Sequence, residues 1–312
     1  MPESQRSTPR SGADIVGRVI TALLIVSPVA AVAISVPLLW GHAIHLRDVV
    51  LAAILYAITG HGITVGFHRL FTHRGFTPKR PLKIALAIAG SMAIEGSVVS
   101  WVANHRRHHV HSDRAGDPHS PHATGDGVVG PVRGFLHAHV GWMFTNDRST
   151  PERYAADIVR DRDLSAVSTL FPVWAAASLA LPFGIGWLWS GSLVGGLTAC
   201  VWAGIIRMAL LHHVTWSVNS VCHMVGARPF VTDDESRNVR ALAVVSFGES
   251  WHNLHHAYPS SARHGVQRGQ IDPSAGLIRL FEKAGWATNV RWPTAERLAS
   301  LTAAPTLVPA NR

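Results

Sequence analysis

Five apolar stretches, at residues 15–40, 49–67, 82–102, 167–189 and 193–211, limit what this chain can become more than any other feature. A helix needs about 20 apolar residues to cross a bilayer, and these stretches reach or approach that length. The 312 residues are 47% hydrophobic and only 15% charged, an unusual balance for a soluble protein. The formal charge of +9 raises nucleic acid as an alternative partner, but no basic stripe interleaved with aromatics and no nucleic-acid motif accompanies it. Arginine-bearing loops on the cytoplasmic side of a membrane account for the same charge, so no nucleic-acid partner is expected.

Residues 1–13 are polar and read as a disordered tail. The run at 15–40 exceeds a signal-peptide core and lacks a small-residue cleavage site. With the run at 49–67 it predicts a helical hairpin. Arg6 and Arg10 before it, and Arg69, Arg74, Lys79, Arg80 and Lys83 after it, place both ends in the cytoplasm. The stretch at 82–102 contains Glu95 and has basic clusters on both flanks, which predicts one interfacial helix lying along the cytoplasmic face. Residues 112–163 are too polar to enter lipid. The runs at 167–189 and 193–211, separated by a Ser-Gly break, predict a second hairpin, and everything from His212 onward returns to the cytoplasm. The expected fold is therefore an all-α integral membrane protein: four transmembrane helices in two hairpins, capped by a helical cytoplasmic region. A single domain at 14–300 and a tail at 301–312 are expected.

Only two cysteines occur, Cys200 and Cys222, which excludes a disulfide scaffold and a CxxC metal site. The anomaly is twenty histidines, gathered in runs on the predicted cytoplasmic side. His68 and His73 follow the second span; their separation of five does not share one α-helical face, so a helix end between them is expected. His105, His108 and His109 repeat the i, i+3, i+4 pattern of His252, His255 and His256. Asn219 and His223 form an i,i+4 pair. In each HxxHH run the members four apart share a stripe while the middle one points aside, which suits two metals side by side. Nine imidazoles exceed what one ion accepts, and imidazole alone does not choose among Fe, Cu, Zn and Ni. His61 and His213 read as packed or interfacial residues, His111, His119 and His122 as surface residues, and His137 and His139 are left open.

These motifs, GFHRLFTHR, NHRRHH followed by HSDRAGDPH, HVGWMF, TWSVNSVCH and FGESWHNLHH, resemble in order those of the membrane fatty acid desaturases, specifically the Δ9 acyl-CoA branch with the stearoyl-CoA desaturases. The resemblance covers about residues 60–259. It implies two irons, with O₂ as co-substrate. One iron would take His68, His105, His109 and His255, with Asn219 acting through water, and the other His73, His108, His223, His252 and His256. It also implies removal of two hydrogens from a long saturated acyl-CoA, leaving a cis double bond at Δ9. Trp101, Thr215 and Trp216 match positions lining the family's bent acyl tunnel. Where animal enzymes read WARDH this chain has Trp101-Val102-Ala103-Asn104-His105, which leaves Arg106, Arg107, Arg114 and Arg133 to meet a phosphate-bearing headgroup.

Asp113 and Glu249 are the carboxylates expected to orient ligand histidines. The expected partners are a long-chain fatty acyl thioester, membrane lipid and a separate electron donor, since no flavin, haem or ferredoxin signature is present. A ferredoxin or a flavin and iron–sulfur reductase fits that role. A bacterial cell membrane, with the site facing the cytoplasm, is the expected location. Competing readings are an acyl-lipid or acyl-carrier-protein desaturase, a fatty acyl hydroxylase, and a membrane metal transporter; the last predicts polar ligands near mid-bilayer rather than at span ends.

Overall fold

The computed structural model describes residues 12–38, 44–122, 129–145 and 147–302; the tails expected at 1–13 and 301–312 lie outside them but for two residues each. Helices α1 (Gly12–Leu38) and α2 (Leu46–His61) come first, and α2 runs on without a break into a π-helical segment, Gly62–Thr72. A short strand β1 (Thr77–Pro78) precedes α3 (Arg80–Ser91) and α4 (Val98–His111). The short helices α5 (Gly130–His139), α6 (Pro151–Tyr154), α7 (Ala156–Arg160) and α8 (Arg162–Thr169) lead to α9 (Phe171–Ser190). A tight turn follows, with Gly191 left-handed at φ +64° and Ser192 capping α10 (Leu193–Ala199). That helix, a second π-helical segment (Cys200–Ile206) and α11 (Arg207–Ser220) make one rod. The remainder holds α12 (His252–Ala257), α13 (Pro273–Lys283), β2 (Ala287–Thr288) and α14 (Ala295–Leu301).

Four of these stretches, Ile15–Ile34, Leu46–Thr72, Phe171–Ser190 and Leu193–His223, are long and apolar enough to cross a membrane. The second and fourth extend well beyond the apolar runs at 49–67 and 193–211. Their polar ends are buried by protein, so hydropathy alone stops short of the helix end. The first pairing also differs from the expected hairpin: α1 packs mainly on the second π-helical segment, on α11 and on the turn at Gly141–Phe144 rather than along α2.

The single helix expected at 82–102 is two helices. Between α3 and α4 the chain turns through Ile94 and Gly96, both left-handed at φ +62° and +109°. For β-branched Ile94 this conformation is strained, and neighbouring helices hold it by satisfying the freed carbonyls. Ser178 of α9 donates to the Met92 carbonyl at 2.6 Å, and His212 of α11 donates to that of Ala93 at 2.7 Å. Ser97 then caps α4 by accepting from the Ser100 amide. The break redirects α4 so that its histidines rise beside those of α2.

The main core lies where the first π-helical segment, α3, α4 and α8 meet, with Phe67, Phe71, Leu86, Val102 and Leu164 buried together. There the first π-helical segment and α3 touch backbone to backbone: a Cβ added at Gly62 would lie 2.2 Å from the Gly90 nitrogen. The C-terminal part is stitched onto the same place. β1 and β2 pair antiparallel, and Arg291 donates its amide to the Gly75 carbonyl at 2.8 Å. Deeper, the fully buried Arg69 joins two carboxylates, donating from Nε to Glu249 at 3.0 Å and from Nη1 to Asp272 at 3.2 Å. It also donates to the Ala262 carbonyl.

Two substitutions test this framework through the thermal midpoint of the purified protein in detergent. Gly62→Ala overpacks a backbone contact and is expected to cost about 1–3 kcal/mol. Arg69→Met strands two buried carboxylates and is expected to cost more, about 3–5 kcal/mol. An unchanged midpoint in the second variant would contradict the clamp.

Candidate metal centre

Each histidine box sits on an element whose local geometry aims its imidazoles. In α4 and α12, side chains four apart share a face, and the Nε2 atoms lie 3.2 Å apart for His105 and His109 and 3.0 Å for His252 and His256. His68 and His73 follow a different rule. The His73 amide bonds the His68 carbonyl at 3.2 Å, an i→i+5 bond, so the pair lies one π-helical turn apart with ring centroids 4.9 Å from each other. Two faces were expected from a separation of five, and the π-helix makes them one.

Two groups result. Ring nitrogens of His68, His73, His105, His109 and His255 lie within 4.8 Å of one another, and so do those of His108, His223, His252 and His256. His73 thus joins the first group, whereas the family resemblance put it in the second. Within the groups Nε2 faces Nε2: His68 and His255 are 3.0 Å apart, His109 and His255 2.9 Å, and His223 and His252 3.1 Å. Metal–imidazole bonds of about 2.1 Å at right angles would set neighbouring nitrogens about 3.0 Å apart. Nε2 of His73 and of His108 is buried with no hydrogen-bond partner among the described residues. Opposed lone pairs and orphaned nitrogens are the pattern that a cation resolves, and the donor set fits one ion in each group.

Behind the imidazoles stand carboxylates. Nδ1 of His223 donates to Asp113 at 2.8 Å, Nδ1 of His108 to Asp117 at 3.0 Å, and Nδ1 of His256 to Asp234 at 2.6 Å; Nδ1 of His68 contacts Glu249. Each pairing fixes a tautomer that turns the Nε2 lone pair inward. Burial, and then the neighbouring imidazoles, hold His73, His105, His109, His252 and His255 well below 6.5, so they are neutral at pH 7. Burial pushes His256 down as well, and Asp234 offsets only part of this, leaving it at about 4. Burial would lift Asp113, but the hydrogen bond and charge of His223 outweigh it and hold the carboxyl at about 2.

Asp113 and Glu249 were expected in this position; Asp117 and Asp234 were not, although Asp117 stands in the quoted HSDRAGDPH stretch. His119, read as a surface residue, is buried 4.4 Å from the His108 ring. His264, which no spacing marks out, is fully buried with its ring 4.7 Å from that of His255. His61 packs on Phe247, while His139 and His213 form an imidazole pair at 3.0 Å.

A mainly apolar cavity of about 740 Å³ has His68, His105 and His252 in its wall, with Trp101, Thr215, Trp216 and Asn219. Asn219 lies one turn before His223, and its side chain makes no hydrogen bond among the described residues. Trp101 stacks on His105 with centroids 5.0 Å apart and donates its indole N–H to Glu95 at 3.2 Å. Burial pushes the Glu95 carboxyl up to about 7, so near neutral pH it is partly protonated. Arg106 and Arg107 point elsewhere. Arg106 is held by Asp157 and the carbonyls of Phe71, Thr72 and Tyr154, and Arg107 by both oxygens of Asp147, so both arginines expected at a headgroup are engaged by the chain's own residues. The partner carboxylates come from α7 and from residue 147 just before α6.

Residues 48–270 match the family profile described as fatty acid desaturase. The hex-5-enoyl-[acyl-carrier protein] acetylenase of Moorena producens (strain JHB) is 38% identical over 88% of this chain and 86% of its own length. Delta-9 acyl-lipid desaturase 1 of Arabidopsis thaliana is 39% identical over 78% of this chain and 75% of its own, and the acyl-CoA C20 Delta5-desaturase of Anemone leveillei is 37% identical over 77% and 72%. Their three headgroups are a carrier protein, a lipid and coenzyme A, so similarity does not single out the acyl-CoA branch. By its matched length, its histidine boxes and these relatives, the chain belongs to the fatty acid desaturase family.

Proposed function

We propose that this protein is an O₂-dependent desaturase that inserts a cis double bond at Δ9 of a long saturated acyl chain, with the two histidine groups each holding an iron. The carrying observation is the apolar cavity walled at one point by histidines of both groups, since His68 and His105 belong to one and His252 to the other. An unactivated methylene pair offers no acid–base handle, so catalysis requires a dry channel that fixes which carbons are presented, next to an oxidant. Two irons held there supply that oxidising power.

The chain's own residues do the rest. Apolar walls exclude water from the reacting carbons. The Glu95 carboxylate locks the Trp101 ring against His105, so this part of the wall is rigid beside the donor set. Thr215 and Trp216, one turn before Asn219 on α11, form the wall near it and bend the chain's path in this reading. Asn219 orients a water toward the first group, as the family resemblance implies.

For the headgroup we favour a membrane acyl-lipid over acyl-CoA. A CoA thioester brings phosphates that need unengaged cations, and two of the four arginines expected to meet them, Arg106 and Arg107, are bound to Asp157 and Asp147. The cavity is also lined by Ile20, Thr21 and Leu24 of α1, a helix whose span window is only 6% buried by protein. A chain arriving from the bilayer meets that wall first. The spans are then membrane-inserted and the histidine side cytoplasmic.

Iron-loaded protein in lipid vesicles, given O₂ and a reductant, is expected to convert stearoyl lipid to the Δ9 monoene, read by gas chromatography of the released acyl chains. Stearoyl-CoA supplied in place of stearoyl lipid is expected to react at least about tenfold more slowly. A hydroxy acid as the main product would sink the desaturase reading, and preference for stearoyl-CoA would sink the lipid one. Metal analysis is expected to give two irons per wild-type chain and a loss of iron in His255→Ala. Asp113→Ala is expected to weaken iron affinity by about 10–100-fold, because His223 loses its orienting acceptor.

A further inference from the structure

Arg207 opens α11 midway along the apolar stretch Leu193–His223 and is 3% exposed, yet its guanidinium meets only neutral oxygens. Nε donates to the Ala203 carbonyl at 3.0 Å, Nη1 to the Thr59 hydroxyl at 3.2 Å and Nη2 to the Ser178 hydroxyl at 2.8 Å. Among the described residues no carboxylate pairs with it, whereas the buried Arg69 has two. A charge buried at membrane depth without a counter-charge is costly, and such residues mark function more often than stability.

The surrounding helices do not need the cation to satisfy their hydroxyls. Thr59 already donates to the Leu55 carbonyl at 2.7 Å, and Ser178 to that of Met92 at 2.6 Å. What the guanidinium adds is a connection. Ser178 accepts from Arg207 and donates to Met92, so one hydroxyl joins α11 to the break between α3 and α4, and each bond polarises the next. His212, on the same helix, donates to the Ala93 carbonyl at 2.7 Å. Two consecutive carbonyls of the break thus hang from α11, one through Ser178 and one directly.

The three residues that follow, Ile94, Glu95 and Gly96, line the large apolar cavity. Ile94 and Gly96 are left-handed, and a Cβ added at Gly96 would meet no atom within 4 Å, so packing alone does not fix this wall. Glu95 in turn accepts the Trp101 indole N–H, and Trp101 stacks on His105 of the first group. The line of contacts that starts at Arg207 therefore ends at the cavity wall beside the histidines.

Resting on the desaturase reading above, we propose that Arg207 is a positioning residue: through Ser178 and Met92 it sets the depth of the wall at residues 94–96, and so which methylene pair of the acyl chain lies opposite the histidines.

The test reads double-bond position, by mass spectrometry of derivatised acyl chains from iron-loaded full-length protein given stearoyl lipid, O₂ and dithionite. In Arg207→Met and in Ser178→Ala, the ratio of the principal monoene to those displaced by one carbon is expected to fall about tenfold, with iron content unchanged. The double variant is expected to fall no further, because both changes cut the same line. Thr59→Val removes another partner of the same guanidinium without touching the break, and is expected to keep the wild-type ratio. Amide hydrogen exchange at residues 92–97, followed without iron, O₂ or substrate, is expected to quicken in the first two variants and not in Thr59→Val. An unchanged ratio in Ser178→Ala overturns the proposal. So does an equal shift in Thr59→Val, which would mean general loosening of the spans, and so does a fall in the thermal midpoint of Arg207→Met as large as that of Arg69→Met. Absence of product in the wild type would instead strike the desaturase reading, while the exchange comparison still decides whether Arg207 holds the break.

Discussion

One buried guanidinium ties the architecture together. Arg69 follows His68 on the π-helical end of α2 and bonds Glu249 and Asp272, partners 180 and 203 residues away in sequence. The two carboxylates do different work. Glu249 backs His68, while Asp272 caps α13 and accepts the amides of His264 and Gly265. Without the cation they would be two anions buried side by side, which proteins avoid. Orientation of a grouped histidine and docking of the C-terminal segment are thus coupled through one side chain, and α12 cannot present its imidazoles unless the chain has closed over α2.

The long helices, their approximate positions and the i, i+3, i+4 logic of both HxxHH runs were legible in the sequence, because apolar length and the 3.6-residue period are local properties. The π-helix was not. His68 and His73 look unaligned when counted as an α-helix, and nothing in GITVGFHRLFT announces wider turns; the glycines that let α3 approach are the only local hint. The break at 92–97 was hidden for the opposite reason. Glu95, Gly96 and Ser97 interrupt the apolar run only briefly, and the carbonyls the break frees are satisfied by Ser178 and His212 from helices more than 80 residues downstream. Arg106 and Arg107 read as free cations because Asp157 and Asp147 lie in a segment whose fold the sequence left open.

The two openings divide the labour around the histidines by polarity. The wall that meets His68, His105 and His252 is apolar and includes residues of α1 and α9, so an acyl chain and the absence of water belong there. The wall that meets His109 and His256 is polar and carries Arg114 and Asp233, so charged visitors belong there. Stacked between them, the imidazoles separate an apolar cavity from a polar opening. That partition follows from helical spacing: in each HxxHH run, adjacent histidines diverge toward different groups, while the two members four apart share a group and meet different openings.

Charge balance accounts for why so basic a chain lines its deepest polar site with acids. Asp113, Asp117, Asp234 and Glu249 each sit against one imidazole of the two groups, and Arg69 and Asp272 cancel one another. Burial keeps most of the imidazoles neutral, while Asp117 outweighs burial at His108 and raises it, so the carboxylates leave net negative charge in a buried volume, a costly arrangement by itself. Two divalent cations between the imidazoles would offset that charge. The acids thus do more than fix tautomers: they make the empty site electrostatically unfavourable and the filled one compensated. An imidazole cage with no anions behind it would reverse that preference, because each added cation would then be buried without a counter-charge.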